Sequence, residues 1–373
     1  MMKVLKYVVL LLSGWMIGWH SAGAQDTKLP HPFMWKSFNN PGYSGFDGLA
    51  SVNVGIRRAY WSKPLDFRSY FVSADYPFQE KKTFGLGGVS LFYQRDQENS
   101  LMYVTNTIAA AISGRVKIAR STVLQVGIQP ALYLKSLDPS RIKLGDQFDP
   151  YYGQILALSP ELMAFYADNI TMFDIAAGIY GRTDFYIGFR GQASLEYGLS
   201  VYHIIESTQS FLSEHGSVSS EENLLNRRYS AYLAYSHPLP LGNGINTVLA
   251  PYLMVDMQAV MKNIQFGVYW EEERFGMIGL GLRSDQYEGM NIGTFLLNLG
   301  LNLRKNEDQG WKIGYTFEVP AHQGTMYKNT SHSLSLHWYF KYTPSRCIGR
   351  FDNSPDNFRR PKARRNSGKS YRF

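Results

Sequence analysis

Residues able to do chemistry are few in this sequence, and their spacing assembles no familiar centre. Asp146-Gln147-Phe148-Asp149 sets two carboxylates three positions apart, like half of a calcium loop. The further oxygen ligands and the glycine are missing, so a turn or loop brace is the better reading. The eight histidines are scattered. His332 and His337 differ by an odd number, so on one strand they face opposite ways and cannot share a metal. Gly85-Leu86-Gly87-Gly88 lacks the dinucleotide spacing and reads as close packing of small residues within a strand. No G-x-S-x-G elbow, P-loop or H-E-x-x-H helix occurs. A Ser-His-acid site could be drawn from distant strands, but no feature points to one. The expectation is no catalysis, no metal and no cofactor. The single cysteine, Cys347, permits no disulfide within the chain and offers neither a cysteine-based metal site nor a lipid anchor at a mature N-terminus.

The elements explain why polar groups are spread so thinly. From Phe185 to Val201, alternate residues Phe185, Ile187, Phe189, Ala193, Leu195, Tyr197, Leu199 and Val201 are apolar. The intervening set contains Arg190, Gln192, Ser194, Glu196 and Ser200. Period two over this length predicts a two-faced strand, apolar toward lipid and polar toward a lumen. A soluble sandwich with its apolar face inward gives the same alternation. Aromatic content of 15%, 34 glycines and 26 tyrosines suit many strands, tight turns and interfacial girdles. Mean hydropathy is −0.24, and after the leader no apolar run is long enough for a spanning helix.

Taken in order, residues 1–24 read as a secretory signal peptide, with Lys3 and Lys6, an apolar core and Ala22-Gly23-Ala24 as the cleavage site. Residues 25–47 read as a short periplasmic lead-in, ending in turn-forming residues. Fourteen strands are predicted within 48–341, near 48–61, 64–76, 83–95, 100–118, 120–135, 172–181, 184–203, 227–237, 245–258, 261–271, 273–283, 289–303, 310–320 and 331–341. An even count suits an antiparallel up-and-down outer-membrane barrel. With the N-terminus in the periplasm, the two long connections, 136–171 and 204–226, both fall outside. The short ones, such as Gly181-Arg182-Thr183, fall inside. A sandwich has no reason to sort its loops this way, which favours the barrel. A helix is predicted at 156–167, capped by Ser159 with Pro160 following. Arg190, Gln192 and Glu196 are expected in the lumen, because a lipid-facing arginine at midplane costs ~2–4 kcal/mol.

The net charge of +8 belongs to the tail. Residues 341–373 hold ten basic and two acidic side chains, leaving no net charge on the rest. The barrel therefore carries no nucleic-acid footprint. Residues 342–373, poor in apolar side chains, read as a disordered periplasmic tail. It is either merely solvated or a docking arm, with Arg359, Arg360, Lys362, Arg364 and Arg365 as candidates.

Asn40-Pro41-Gly42-Tyr43-Ser44-Gly45, Gly145-Asp146-Gln147, Phe185-Tyr186-Ile187-Gly188, Gly314-Tyr315-Thr316-Phe317 and Ser331-His332, in that order, resemble the motifs of the PorP/SprF family of the Bacteroidota type IX secretion and gliding machinery. After the leader, Asn40-Pro41-Gly42-Tyr43-Ser44-Gly45 resembles an N-P-A-Y-A-G motif, and Trp61 and Pro64 follow the first strand. Gly145-Asp146-Gln147 matches a G-D-Q segment in a long loop, and Phe185-Tyr186-Ile187-Gly188 an F-Y-I-G strand. Gly314-Tyr315-Thr316-Phe317 matches a late G-Y-(S/T)-(Y/F)-D pattern with Glu318 in place of Asp. Ser331-His332 opens the last strand, with Ser333 where the family has Glu. The resemblance spans about residues 39–341 and leaves out the basic tail.

The resemblance implies an outer-membrane barrel, N- and C-termini periplasmic, that assists export or surface anchoring of proteins carrying a C-terminal sorting domain. It implies a periplasmic peptidoglycan-binding partner and contact with the secretion machine's ring, outer-membrane lipid around the wall, and no nucleic acid. The alternative is a channel or transporter for small or hydrophobic solutes. Fourteen strands enclose more room than an eight-stranded barrel whose lumen side chains fill, so a plug or gate matters. No segment reads as a separate plug domain, though the first long loop could fold inward.

Overall fold

Alternating side chains need a closed sheet if one face is to meet lipid and every backbone group is to be bonded. The computed structural model of this chain has that form. It describes residues 26, 31, 33–59, 66–78, 86–98, 103–119, 121–138, 145–149, 151–154, 169–187, 192–209, 224–241, 245–272, 275–287, 290–306, 309–321 and 330–341. The barrel strands are β1 (Ala50–Ala59), β2 (Phe67–Phe78), β3 (Gly87–Glu98), β4 (Tyr103–Lys117), β5 (Thr122–Ser136), β8 (Asn169–Tyr186), β9 (Gln192–Tyr202), β10 (Arg228–Leu241), β11 (Ile245–Gln258), β12 (Met261–Glu272), β13 (Gly276–Tyr287), β14 (Met290–Asn306), β15 (Gln309–Pro320) and β16 (Ser331–Phe340). Each pairs antiparallel with its neighbours, and β1 pairs with β16 to close the ring. The two-residue strands β6 (Phe148–Asp149) and β7 (Gly153–Gln154) pair only with each other, in the first long loop.

Facing follows the sequence pattern. Val54, Ile56, Val72, Leu91, Ile112, Leu199 and Leu280 are each exposed by 40% or more, the signature of a lipid-facing wall. Their sequence neighbours Asn53, Ser73, Ser90, Ser113 and Ser200 are buried on the inner face. The connections 137–168 and 203–227 leave the barrel at one end, the long-loop end. Connections at the opposite, short-turn end run to eight residues at most. There Trp311 stacks on Trp338 at 5.3 Å, and Trp338 lies 4.5 Å from Phe340, forming an aromatic edge to the apolar band.

The count of fourteen barrel strands agrees with the sequence, but one boundary moves. The residues expected as one strand over 184–203 are divided between β8, which ends at Tyr186, and β9, which begins at Gln192, and Gly181-Arg182-Thr183 lies inside β8 rather than in a turn. The reason is parity. In this hairpin Phe185 opposes Ala193 and Thr183 opposes Leu195, so odd positions face outward on both strands. The alternation runs through the turn without a break. Residues 1–24, the helix expected at 156–167, Arg190 and the tail 342–373 lie outside the described residues.

Candidate functional site

The lead-in segment is too apolar for a solvated connection: Phe33, Met34, Trp35, Phe38, Tyr43 and Phe46 crowd fourteen positions. It folds into one helical turn, Lys36–Asn39, and a 3-10 turn, Pro41–Tyr43. Neither element has a partner of its own, so each must bury its face against the wall. Trp35 packs on Phe71 of β2 at 5.6 Å, and Phe33 sits edge-on to Tyr269 of β12 at 4.4 Å. Tyr43 sits edge-on to Tyr180 of β8 at 4.8 Å. A short segment that touches strands all round the ring can only lie within it. The lead-in is therefore a plug, which corrects its reading as a connection outside the barrel.

Asn40 organises the plug's middle. Its Oδ1 accepts from the Gly42 N–H at 2.8 Å, and its Nδ2 donates to the carbonyls of Ile179 and Leu199 at 3.0 and 3.2 Å. The wall leaves space for it with Gly178 and Gly198, where a Cβ would collide with the Asn40 side chain. Gly127 serves Pro41 in the same way. Lower down, the Ser44 carbonyl accepts from Ser113 Oγ at 2.7 Å and Gln125 Nε2 at 2.6 Å. Gly45, at φ +67°, lies against Gly88. Gly45 takes a left-handed conformation that a β-carbon disfavours.

Charge is paired inside. Lys36 Nζ meets Glu196 Oε2 at 2.7 Å, both buried, and Tyr180 donates its hydroxyl to the same oxygen at 2.6 Å. On the opposite wall Glu318 joins Arg57 and Arg283 at 3.1 and 3.0 Å. Low dielectric makes such pairs strong only while complete. Burial raises the Tyr43 hydroxyl's pKa and lowers that of His31 to about 3, so both are neutral in the plug.

The segment begins at the long-loop end. The Asp26 carboxylate contacts His203 Nε2 at 2.7 Å and Arg228 at 2.9 Å, and its N–H donates to Gln258 at 3.2 Å. His203 Nδ1 meets Asp174 at 2.9 Å, and its backbone N–H donates to the same carboxylate at 3.1 Å. His203 holds φ +59°, an uncommon conformation that these bonds enforce. Burial alone would lower its pKa, but the Asp26 and Asp174 carboxylates raise it to about 9. Burial likewise opposes ionisation of Asp26, and His203 and Arg228 outweigh it, holding the carboxyl below the usual range. Asp26 is thus held at the long-loop end, while the Phe46 carbonyl accepts from Arg115 near the short-turn end. Asp26 and Lys341 thus lie at opposite ends of the barrel.

Of the motif residues, Asn40, Pro41, Tyr43 and Gly45 come together in the plug. Gly314 faces it, since a Cβ there would come within 3.3 Å of Met34. Tyr315 and His332 meet on the outer wall, hydroxyl to Nδ1, at 2.7 Å. Gly145-Asp146-Gln147 forms a 3-10 turn in the first long loop, with Gln147 buried. Gln192 lines the same inward row as Glu196. His337 points inward to Asn53, away from His332, as their spacing required. Lys36, Asp26, Asp174, His203 and Arg228 were missed. For Lys36 a signal existed, a lone charge in an aromatic segment. For the latch there was none, because its members lie far apart in sequence.

Among solved structures, the CymD monoaromatic hydrocarbon channel aligns with 8% identity over 83% of this chain and 93% of its own, TM-score 0.45. The Ralstonia pickettii toluene transporter TbuX aligns with 8% identity over 86% and 96%, TM-score 0.42. The beta domain of the Bordetella autotransporter BrkA aligns with 10% identity over 79% and 99%, TM-score 0.38. No curated protein matches the chain. A family model described as type IX secretion system membrane protein PorP/SprF matches residues 23–338.

Proposed function

Because this chain belongs to the PorP/SprF family of type IX secretion system membrane proteins, we propose that it is an outer-membrane barrel that assists export or surface anchoring of proteins with a C-terminal sorting domain. The observation that carries this reading is the filled lumen. A barrel whose interior is occupied by its own bonded segment is poorly suited to passing solutes, and its free surfaces are its rims. The long loops would hold the exported protein at the cell surface. The short-turn end, with the basic tail 342–373, would meet a periplasmic peptidoglycan-binding partner and the secretion ring. Arg359, Arg360, Lys362, Arg364 and Arg365 give that tail its charge.

The test is purification from native membranes in mild detergent, with mass spectrometry of bound proteins, repeated without residues 342–373. A co-purifying secreted protein, held through its C-terminal domain, is the expected result. Loss of periplasmic partners on truncation assigns the tail. A bare barrel that conducts ions in planar bilayers would overturn the reading in favour of a solute channel.

A further inference from the structure

We propose that the outer wall of β1–β3, at the long-loop edge of the apolar band, binds a phosphorylated lipid headgroup. Register and parity place three arginines there. Arg58 stands directly opposite Arg68, and Arg95 opposite Tyr70. Arg58 shares its face with Val54 and Ile56, Arg68 with Tyr70 and Val72, and Arg95 with Leu91, all of them exposed. The arginines therefore point to the membrane side, not to the lumen. Along the strands from the Trp311–Trp338 row, Arg95 stands four residues away and Arg58 and Arg68 six, the latter about 20 Å at ~3.3 Å per residue. That is where a bilayer's apolar core gives way to headgroups. A basic side chain costs ~2–4 kcal/mol at mid-bilayer but only ~0–1 kcal/mol at this height.

Three guanidiniums side by side repel, and like charges directly opposite on paired strands are destabilising. Asp66 offsets one charge only. It accepts from Arg58 Nε and a terminal nitrogen at 2.8 and 3.0 Å, and from Arg68 at 2.9 Å. The bonds from both arginines hold the Asp66 carboxyl down at about 2. Arg58 and Arg68, 33% and 40% exposed, are thereby held in place at the membrane face. Arg95 is exposed one row nearer the apolar band. Planar forks of this kind match phosphate oxygens two at a time. Tyr70 and Tyr93, 37% and 39% exposed, flank the cluster at the height where tyrosine rings meet the interface. The apolar wall directly below accepts acyl chains, which selects a lipid over a free anion.

The experiment is native mass spectrometry of the full chain in detergent with bisphosphorylated lipid A as probe. Its dephosphorylated form and inorganic phosphate are run in parallel. One tightly bound bisphosphorylated lipid is expected, at least tenfold weaker in the Arg68→Gln/Arg95→Gln variant. Lys262→Gln, on β12 across the barrel, should bind as wild type. The characteristic gel-mobility shift on heating checks that each variant still forms a barrel. Equal binding of the dephosphorylated lipid would overturn the proposal, as would a double variant that binds normally. Competition by inorganic phosphate at equal concentration would point instead to a free-anion site and overturn the lipid assignment.

Discussion

Lys36 and Glu196 show how much a single pair can hold. Removing one partner of a buried pair costs up to roughly 3–5 kcal/mol, less here for Lys36 because Arg182 stays 3.8 Å from Glu196. Lys36→Met should therefore lower the temperature at which the purified barrel loses its folded gel mobility. Lys36→Met combined with Glu196→Gln should recover most of the loss, and equal losses in both would show that the pair is not the cause. Facing is testable in the same way. Leu195→Arg sets a charge against lipid and should block stable insertion, whereas Gln192→Arg, in the inward row, should insert normally. Gln192 and Glu196 could be assigned a face because period two assigns one to every residue of a strand. Asn40 was visible as a motif residue but not as a plug residue. Its partners are backbone carbonyls of Ile179 and Leu199, and a carbonyl leaves no mark in a sequence.

Among the elements, the latch and the β8–β9 hairpin teach different lessons. The latch needs a protonated His203, which faces Asp26 and Asp174, with Arg228, Lys135 and Tyr133 close by. Its folded pKa is raised, so this contribution is full below about 6.5 and is lost as pH rises through about 9. The Asp26 carboxyl is shifted down, so its share is present above the ordinary carboxylate range and is lost as pH falls below that range through the lowered pKa. Hydrogen exchange near residue 26, corrected for the base-catalysed intrinsic rate, should therefore quicken above pH 9 while the strand core stays protected. His203→Gln should show the same quickening already at pH 7. Unchanged exchange in both cases would remove His203 from the latch. The hairpin was misread because its turn preserves parity, so hydrophobic periodicity carried no trace of it. The gathering of the two long connections at one end, by contrast, was read correctly from the sequence, although the short connection at Gly181-Arg182-Thr183 was not.

On the scale of the whole molecule, the fold was legible and the filling was not. Alternation and loop length define a wall, but they say nothing about what the wall encloses. The inner glycines Gly127, Gly178 and Gly198 make sense only once Asn40 and Pro41 are seen against them. Deleting residues 26–46 should leave a barrel that inserts and, unlike the full chain, conducts ions in planar bilayers. A silent deletion variant would mean that the loops or inner side chains seal the lumen by themselves. The same threading sets an order of events in biogenesis. The ring is sealed by the seam between its first and last strands, β1 and β16, so the leading end must already lie inside when that seam forms. A folded cargo fused ahead of residue 26 could not follow it through, and such a fusion should stall as an unclosed sheet. The same cargo fused after residue 373 should leave closure untouched.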